Sequence, residues 1–495
     1  MNEKKQLLKN AFTSVVQVII VSASLFILYK YLLNTLGVEK LGIWSLILAI
    51  SSIGSISKFG FTGSVVKYVA QYRAKQDINK IHSIIGTSVV TVGFVSSVLI
   101  LIFYPIAGVI LEYVVPLKNL KESMDLLPYG LLALWIMVIM SIFFSALEGS
   151  HRIDQRTYVF SGGSVFYLLL CFFLVPKYGI LGLAYGRVIQ MFLMLIIAIF
   201  LVKRIYNNLK FKDFFWNKNT FNELLIYSLN IQVASISQMF YEPLTKALLT
   251  KFGSLEVTGY YEMASRMIAQ VRNLTVASGK ALVPFVSHNI EKKNDNIIKY
   301  YRYSLKVMSF FSIFIFFLVV ILSPFISILW IGSYNYIFIL TVFFISFAWF
   351  INVLSATSYL FYQGIGKLKI NSISHILILV FNLILSFLLG NFWGWKGVVV
   401  GWSLAIIIGS LYIIISFHKE YSILSNEIFN RKNGLFFILT VVYFLSYYLI
   451  IIYIRFDNLY YYIYLVVTLI YLSFFVFSLK KDFTKIFGIF NVGSK

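Results

Sequence analysis

Fourteen apolar stretches, each long enough to cross a bilayer, leave this chain little choice of architecture. They run roughly over 8–33, 41–70, 81–104, 126–148, 157–175, 180–202, 222–250, 256–286, 304–331, 335–364, 369–390, 395–417, 434–455 and 459–479. A helix needs about 20 mainly apolar residues to span the hydrocarbon, and only helices and closed barrels leave no backbone N–H or C=O unpaired there. The connectors are short, and the polar link Lys203–Thr220 divides the chain near its middle. With 60% hydrophobic and 12% charged residues, against about half and a quarter in soluble chains, the sequence predicts an all-α polytopic membrane protein of 14 transmembrane helices. Lys4, Lys5 and Lys9 precede the first run in the manner of a signal peptide. That run is longer than the roughly 7–15 residues of a signal h-region, so it is expected to remain as the first membrane helix. A single cysteine, Cys171, excludes an intramolecular disulfide.

The basic residues set the expected orientation. With the N-terminus in the cytoplasm, 27 of the 42 Lys and Arg residues fall in cytoplasmic segments, 7 in outer segments and 8 within the spans. Cytoplasmic loops collect Lys and Arg, so both termini are expected inside. The same asymmetry accounts for most of the net charge of +23, and no nucleic-acid partner is needed to explain it.

The chain also repeats itself. LGVEKLGIW (36–44) matches GSLEVTGYY (253–261), with Gly42 on Gly259 at an offset of 217 residues. EGSHR (148–152) matches QGIGK (363–367), and Gly179, Gly182 and Gly186 meet Gly394, Gly397 and Gly401, both at an offset of 215. Each repeat holds six helices, and an even number restores the same topology. Two parallel six-helix bundles, helices 1–6 and 7–12, are therefore expected over residues 1–215 and 216–430. Residues 431–495 add helices 13–14 and a tail, and a ligand site is expected between the bundles.

Charge in hydrocarbon is costly, so an ionisable residue inside a span is a site hypothesis. Segment 256–286 carries Glu262, Arg266, Arg272 and Lys280. At about 100° per residue, Glu262, Arg266, Asn273 and Lys280 share one stripe about 40° wide. Arg266 lies near the expected midplane, with a helix pair to Glu262 four residues away as the plain alternative. Helix 7 repeats the pattern with Glu242 and Lys246 beside Pro243. There the alternatives are a local pair, or a lysine that snorkels to the surface. Lys58 in helix 2, for which snorkelling to the cytoplasmic side is the alternative, sits beside FGFTG (59–63), whose Gly60 and Gly63 are expected to loosen or bend the helix. Arg187 in helix 6 completes the set. His375 is the only histidine well inside a span and is expected to be a hydrogen-bonded packing group. Tyr260 and Tyr261 read as interfacial belt residues, with a sugar contact as the alternative. No metal-ligand spacing, nucleophile elbow or phosphate loop is present, and no cofactor is expected.

Segments GVEKLGIWSLILAISSIGSISKFGFTGSVVKYVAQYRAK (37–75) and GSLEVTGYYEMASRMIAQVRNL (253–274) resemble the second-helix region of Wzx-type O-antigen and exopolysaccharide flippases. These belong to the MATE-like multidrug/oligosaccharidyl-lipid/polysaccharide exporter superfamily. The resemblance implies a transporter, not an enzyme, of the bacterial cytoplasmic (inner) membrane. It implies movement of an undecaprenyl-diphosphate-linked oligosaccharide by alternating access through a cationic cavity. On that reading Arg266, Lys58, Arg272, Lys280, Lys246 and Arg187 meet the substrate, and Glu262 and Glu242 couple transport to protons or sodium. Membrane lipids, a polysaccharide polymerase and a chain-length regulator are the implied partners. The alternatives are a multidrug/cation antiporter of the same superfamily, a membrane polysaccharide polymerase or ligase, and a non-transporting scaffold.

Overall fold

The computed structural model describes residues 3–58, 60–206, 215–279 and 297–423, together with Val466. Helices 13 and 14 of the expected set, and Lys280, lie outside the described residues. The order is α1 (Glu3–Leu36), α2 (Val38–Ser52), a 3₁₀ turn (Ile53–Lys58), α3 (Phe61–Ala74), α4 (Ile78–Val114), α5 (Leu117–Gly149), α6 (Ile153–Tyr178) and α7 (Ile180–Ile205). It continues with α8 (Lys218–Met239), α9 (Tyr241–Phe252), α10 (Leu255–Gly279), α11 (Ile297–Ile331), α12 (Tyr336–Ile365), α13 (Leu368–Trp393) and α14 (Trp395–Glu420). Ten helices among the described residues are long and apolar enough to cross a membrane. α8 and α10 are too polar to be among them, and α9, at 12 residues, is too short.

Two expected spans are not continuous. Span 41–70 breaks into α2, the 3₁₀ turn and α3, because Gly60 adopts φ +72°, a conformation that glycine takes readily and L-residues resist. Span 222–250 breaks at Phe240. Pro243 cannot donate to the carbonyl of Met239, and its ring crowds that carbonyl, so the helix stops and restarts. The restart places Glu242 in the first turn of α9, where the positive end of the helix dipole favours an acid. Side-chain caps fix other starts: Asp77 accepts from the Lys80 backbone N–H at 3.0 Å, Asn217 from Thr220 at 3.0 Å and Asn335 from Phe338 at 2.9 Å.

The described residues form two compact units. Unit 1 holds the described parts of Met1–Gln270 and His375–Ala405, and unit 2 those of Val271–Ser374 and Ile406–Lys495. Lipid is as apolar as leucine, so close van der Waals packing and small residues, not hydrophobic expulsion, hold such helices together. In unit 1 the core gathers Phe61, Ile85, Val138, Phe143 and Met194. α8 is tied to α3 by Ser64 and Ser228, whose hydroxyls lie 2.7 Å apart. In unit 2 Tyr301 stacks on Phe417 at 4.3 Å and bonds Ser358 and His418, each at 2.8 Å.

The positions that the repeat equates behave alike. Gly179 ends α6 with φ +57°, and Gly394, 215 residues on, ends α13 with φ +59°. In unit 1 the repeat mates Gly42 and Gly259 meet each other's helix. A Cβ on Gly42 would fall 1.8 Å from the carbonyl oxygen of Leu255, and one on Gly259 would fall 2.4 Å from that of Val38. Val38 and Leu255 are themselves 217 residues apart, so α2 and the first half of α10 cross in a local two-fold arrangement.

Candidate functional site

One turn beyond that crossing, α10 presents Glu262, which is 1% exposed. Its carboxylate is surrounded by donors. Arg266 Nε donates to Oε1 at 2.8 Å, and the Tyr29 hydroxyl from α1 donates to the same oxygen at 2.8 Å. Lys246 Nζ from α9 lies 2.7 Å from Oε2, and the Ser45 hydroxyl from α2 donates to Oε2 at 3.0 Å. Glu242 joins from outside, 3.5 Å from Lys246 and 3.8 Å from Arg266. Two acids and two bases balance. Lys246 is fully enclosed, while the side chains of Arg266 and Glu242 are 35% and 52% exposed. All of this lies within unit 1.

The helix pairs Glu262–Arg266 and Glu242–Lys246, read from four-residue spacing, are both present. The snorkelling alternative for Lys246 is corrected: its amine turns inward because Glu262 and Glu242 offer stronger compensation than a headgroup zone. Tyr260 and Tyr261 are buried, so they are core residues and not belt. His375 is hydrogen-bonded as expected, with its ring 3.1 Å from both the Tyr241 hydroxyl and Gln238. Tyr29 and Ser45 were missed. The repeat carried the signal, because at the 217-residue offset Tyr29 falls on Lys246 and Ser45 on Glu262. Each pair of mates meets at the one carboxylate.

Lys58, Arg187 and Arg272 have no carboxylate partner among the described residues. Lys58 ends the 3₁₀ turn and lines a cavity of about 460 Å³ with Thr62, Ser141 and Ser145. Arg156 and Glu148, paired with each other, stand at the same cavity. Arg187 donates to Gln190 Oε1 at 2.7 Å and lies 5.7 Å from the centre of the Tyr167 ring. In unit 2 Arg272 lies 4.4 Å over the Trp349 ring and donates through Nε to Asn352 at 3.1 Å. Asn352 is held in turn by Ser410 at 3.0 Å. An arginine fixed by a ring face and one amide keeps most of its five N–H donors for an anion. No cluster of His, Cys, Asp or Glu among the described residues fits a metal.

A family model described as polysaccharide biosynthesis protein matches residues 7–290. A Shigella flexneri protein described as "Putative O-antigen transporter" is 22% identical over 409 residues, covering 80% of this chain and 94% of that one. Among solved structures, lipid II flippase MurJ in an inward closed conformation aligns with a TM-score of 0.72 at 16% identity, over 96% of this chain and 99% of that one. An inward-facing multidrug resistance MATE family transporter of the MOP superfamily aligns with a TM-score of 0.70 at 15% identity, over 82% and 98%. The fold is that of the MOP-superfamily transporters.

Proposed function

We propose, because this chain belongs to the polysaccharide biosynthesis protein family, that it is a flippase carrying a polyprenyl-diphosphate-linked oligosaccharide across the bacterial cytoplasmic membrane. The observation that carries this reading is the set of helix-borne cations without a carboxylate partner among the described residues: Lys58, Arg187 and Arg272. A bare cation in a membrane helix is expensive, and a ligand that brings its own negative charge relieves the cost. A diphosphate is such a ligand, and arginine can grip it through paired N–H donors. Arg266 adds its exposed edge, while Lys246 acts from behind by holding Glu262. Lys280 belongs to the same stripe by sequence.

The basic turns face the cytoplasm, and the repeats over 1–215 and 216–430 rock to alternate access. Glu242 and Glu262 are the ion-coupling pair: a proton or sodium ion at the exposed Glu242 competes with Lys246 and Arg266 for its carboxylate. On the outer side the product passes to a polymerase and chain-length regulator.

Flipping of a fluorescent lipid-linked oligosaccharide in proteoliposomes tests the reading. Lys58→Ala, Arg187→Ala and Arg272→Ala are each expected to slow it about tenfold, the equivalent of about 1.4 kcal/mol. Flipping at the parent rate by all three, at normal expression, overturns the reading.

A further inference from the structure

The second cavity of unit 1 is different in kind. It is a groove of about 540 Å³ between α6 and α7, within the roughly 300–1,000 Å³ range of ligand sites. Its walls are apolar, with Phe166, Leu193, Ile197 and Leu201 among them, and its only charged lining residues are Arg152 and Asp154 at the start of α6. Those two pair at 3.3 Å. Gly162 lies in the wall with no neighbour within 4 Å of where a Cβ would stand, so the groove stays open at its middle. Tyr158, Leu193 and Ile197 are exposed on its rim. Both helices are among the ten long and apolar enough to cross a membrane, so an apolar groove between them suits a hydrocarbon ligand.

The groove adjoins the Lys58 cavity. The first three turns of α6 separate them: Gln155, Val159 and Gly162 line the groove, while Arg156 and Phe160 line the cavity. At about 100° per residue these are neighbouring faces of one helix. A polar, cation-bearing cavity and an apolar groove thus meet at the α5–α6 turn. That is the outline of an amphiphile with an anionic head and a long hydrocarbon tail.

Resting on the flippase reading, we propose that the α6–α7 groove holds the isoprenoid chain of the transported lipid while its diphosphate occupies the Lys58 cavity, the molecule bending over the start of α6. The tail then stays in hydrocarbon, and only the head enters polar surroundings.

Binding to the purified full chain in nanodiscs tests this, using two probes, a long-chain polyprenyl diphosphate-sugar with a diazirine in its chain and a water-soluble analogue with a two-isoprene chain, and a diazirine-bearing phospholipid as the labelling control. Gly162→Trp fills the groove at a site with free space, and glycine is the weakest helix former there apart from proline, so folding is preserved. Gly162→Trp is expected to weaken the long-chain probe about tenfold or more and leave the short one unchanged. Lys58→Ala is expected to weaken both. Photolabelling is expected on α6 and α7, and less so in Gly162→Trp. Parent-like long-chain binding by Gly162→Trp, or labelling of the groove only by diazirine-bearing phospholipid, overturns the groove while leaving the flippase reading in place. Failure of the unsubstituted protein to bind either probe overturns both.

Discussion

A carboxylate with two cations and two hydroxyls around it is hard to replace. Removing one partner of a buried ion pair costs about 3–5 kcal/mol, because the other charge is left bare. Glu262→Ala is therefore expected to lower stability by that amount, read as a fall in thermal unfolding midpoint in detergent. Lys246→Met added to Glu262→Gln is expected to recover most of the loss, since the glutamine oxygen still accepts from Tyr29, its amide N–H can donate to the Ser45 hydroxyl, and no enclosed amine remains. Arg272 invites a different test. Lysine lacks the planar fork that lies over Trp349 and reaches Asn352. Arg272→Lys is expected to flip lipid about as slowly as Arg272→Ala, and recovery by lysine would reduce the site to simple charge. Much at this scale was legible in the sequence. Four-residue spacing offered both helix pairs as alternatives to a site role, since side chains that far apart on a helix are neighbours. It could not show that the two pairs converge on one carboxylate, which depends on how α9 and α10 pack. The local charge balance therefore came only with the structure.

Among the elements, the crossing of α2 and α10 is the tightest contact with a sequence signature. Gly42→Ala places a methyl group inside the Leu255 carbonyl, so the backbones must part. A loss of about 1–3 kcal/mol is expected, as for other overpacked sites. Separation can be read directly: Ser45→Cys is enclosed in the parent and is expected to react with a maleimide several-fold faster when Gly42→Ala is added. The native Cys171 is buried and adds little background. Unchanged labelling would show that the helices yield elsewhere. Both helix breaks were foreshadowed by residue type, Gly60 through its φ and Pro243 through its missing N–H. The boundaries were not. A hydropathy run continues across a break when both sides are apolar, so spans 41–70 and 222–250 each read as one helix.

For the whole molecule, the repeat is the most informative feature of the sequence, and the structure gives it physical content. Mates 217 residues apart face each other at Gly42–Gly259 and at Ser45–Glu262. The acid's address is then partly interchangeable. Ser45→Glu combined with Glu262→Ser is expected to restore more than half of the unfolding midpoint lost by Glu262→Ser alone, because position 45 approaches the same Tyr29 and Lys246 from the opposite helix. Failure to restore any would mean that the two-fold arrangement ends at the glycines. The expected count of fourteen spans was harder to read: α10 carries charges and α8 polar residues that hydropathy counts against a span, and the break at Phe240 leaves α9 only 12 residues long.

That polarity bears on how the protein is made. Each ionised residue at the middle of an inserting helix costs about 2.5–3.5 kcal/mol, and α9 and α10 together bring Glu242, Lys246, Glu262 and Arg266. A ribosome releases α1 and α2 first, so Tyr29 and Ser45 are already in the bilayer when Glu262 leaves the tunnel. Biogenesis thereby acquires an order, in which the early segments serve as the receptacle that lets the polar pair leave the translocon.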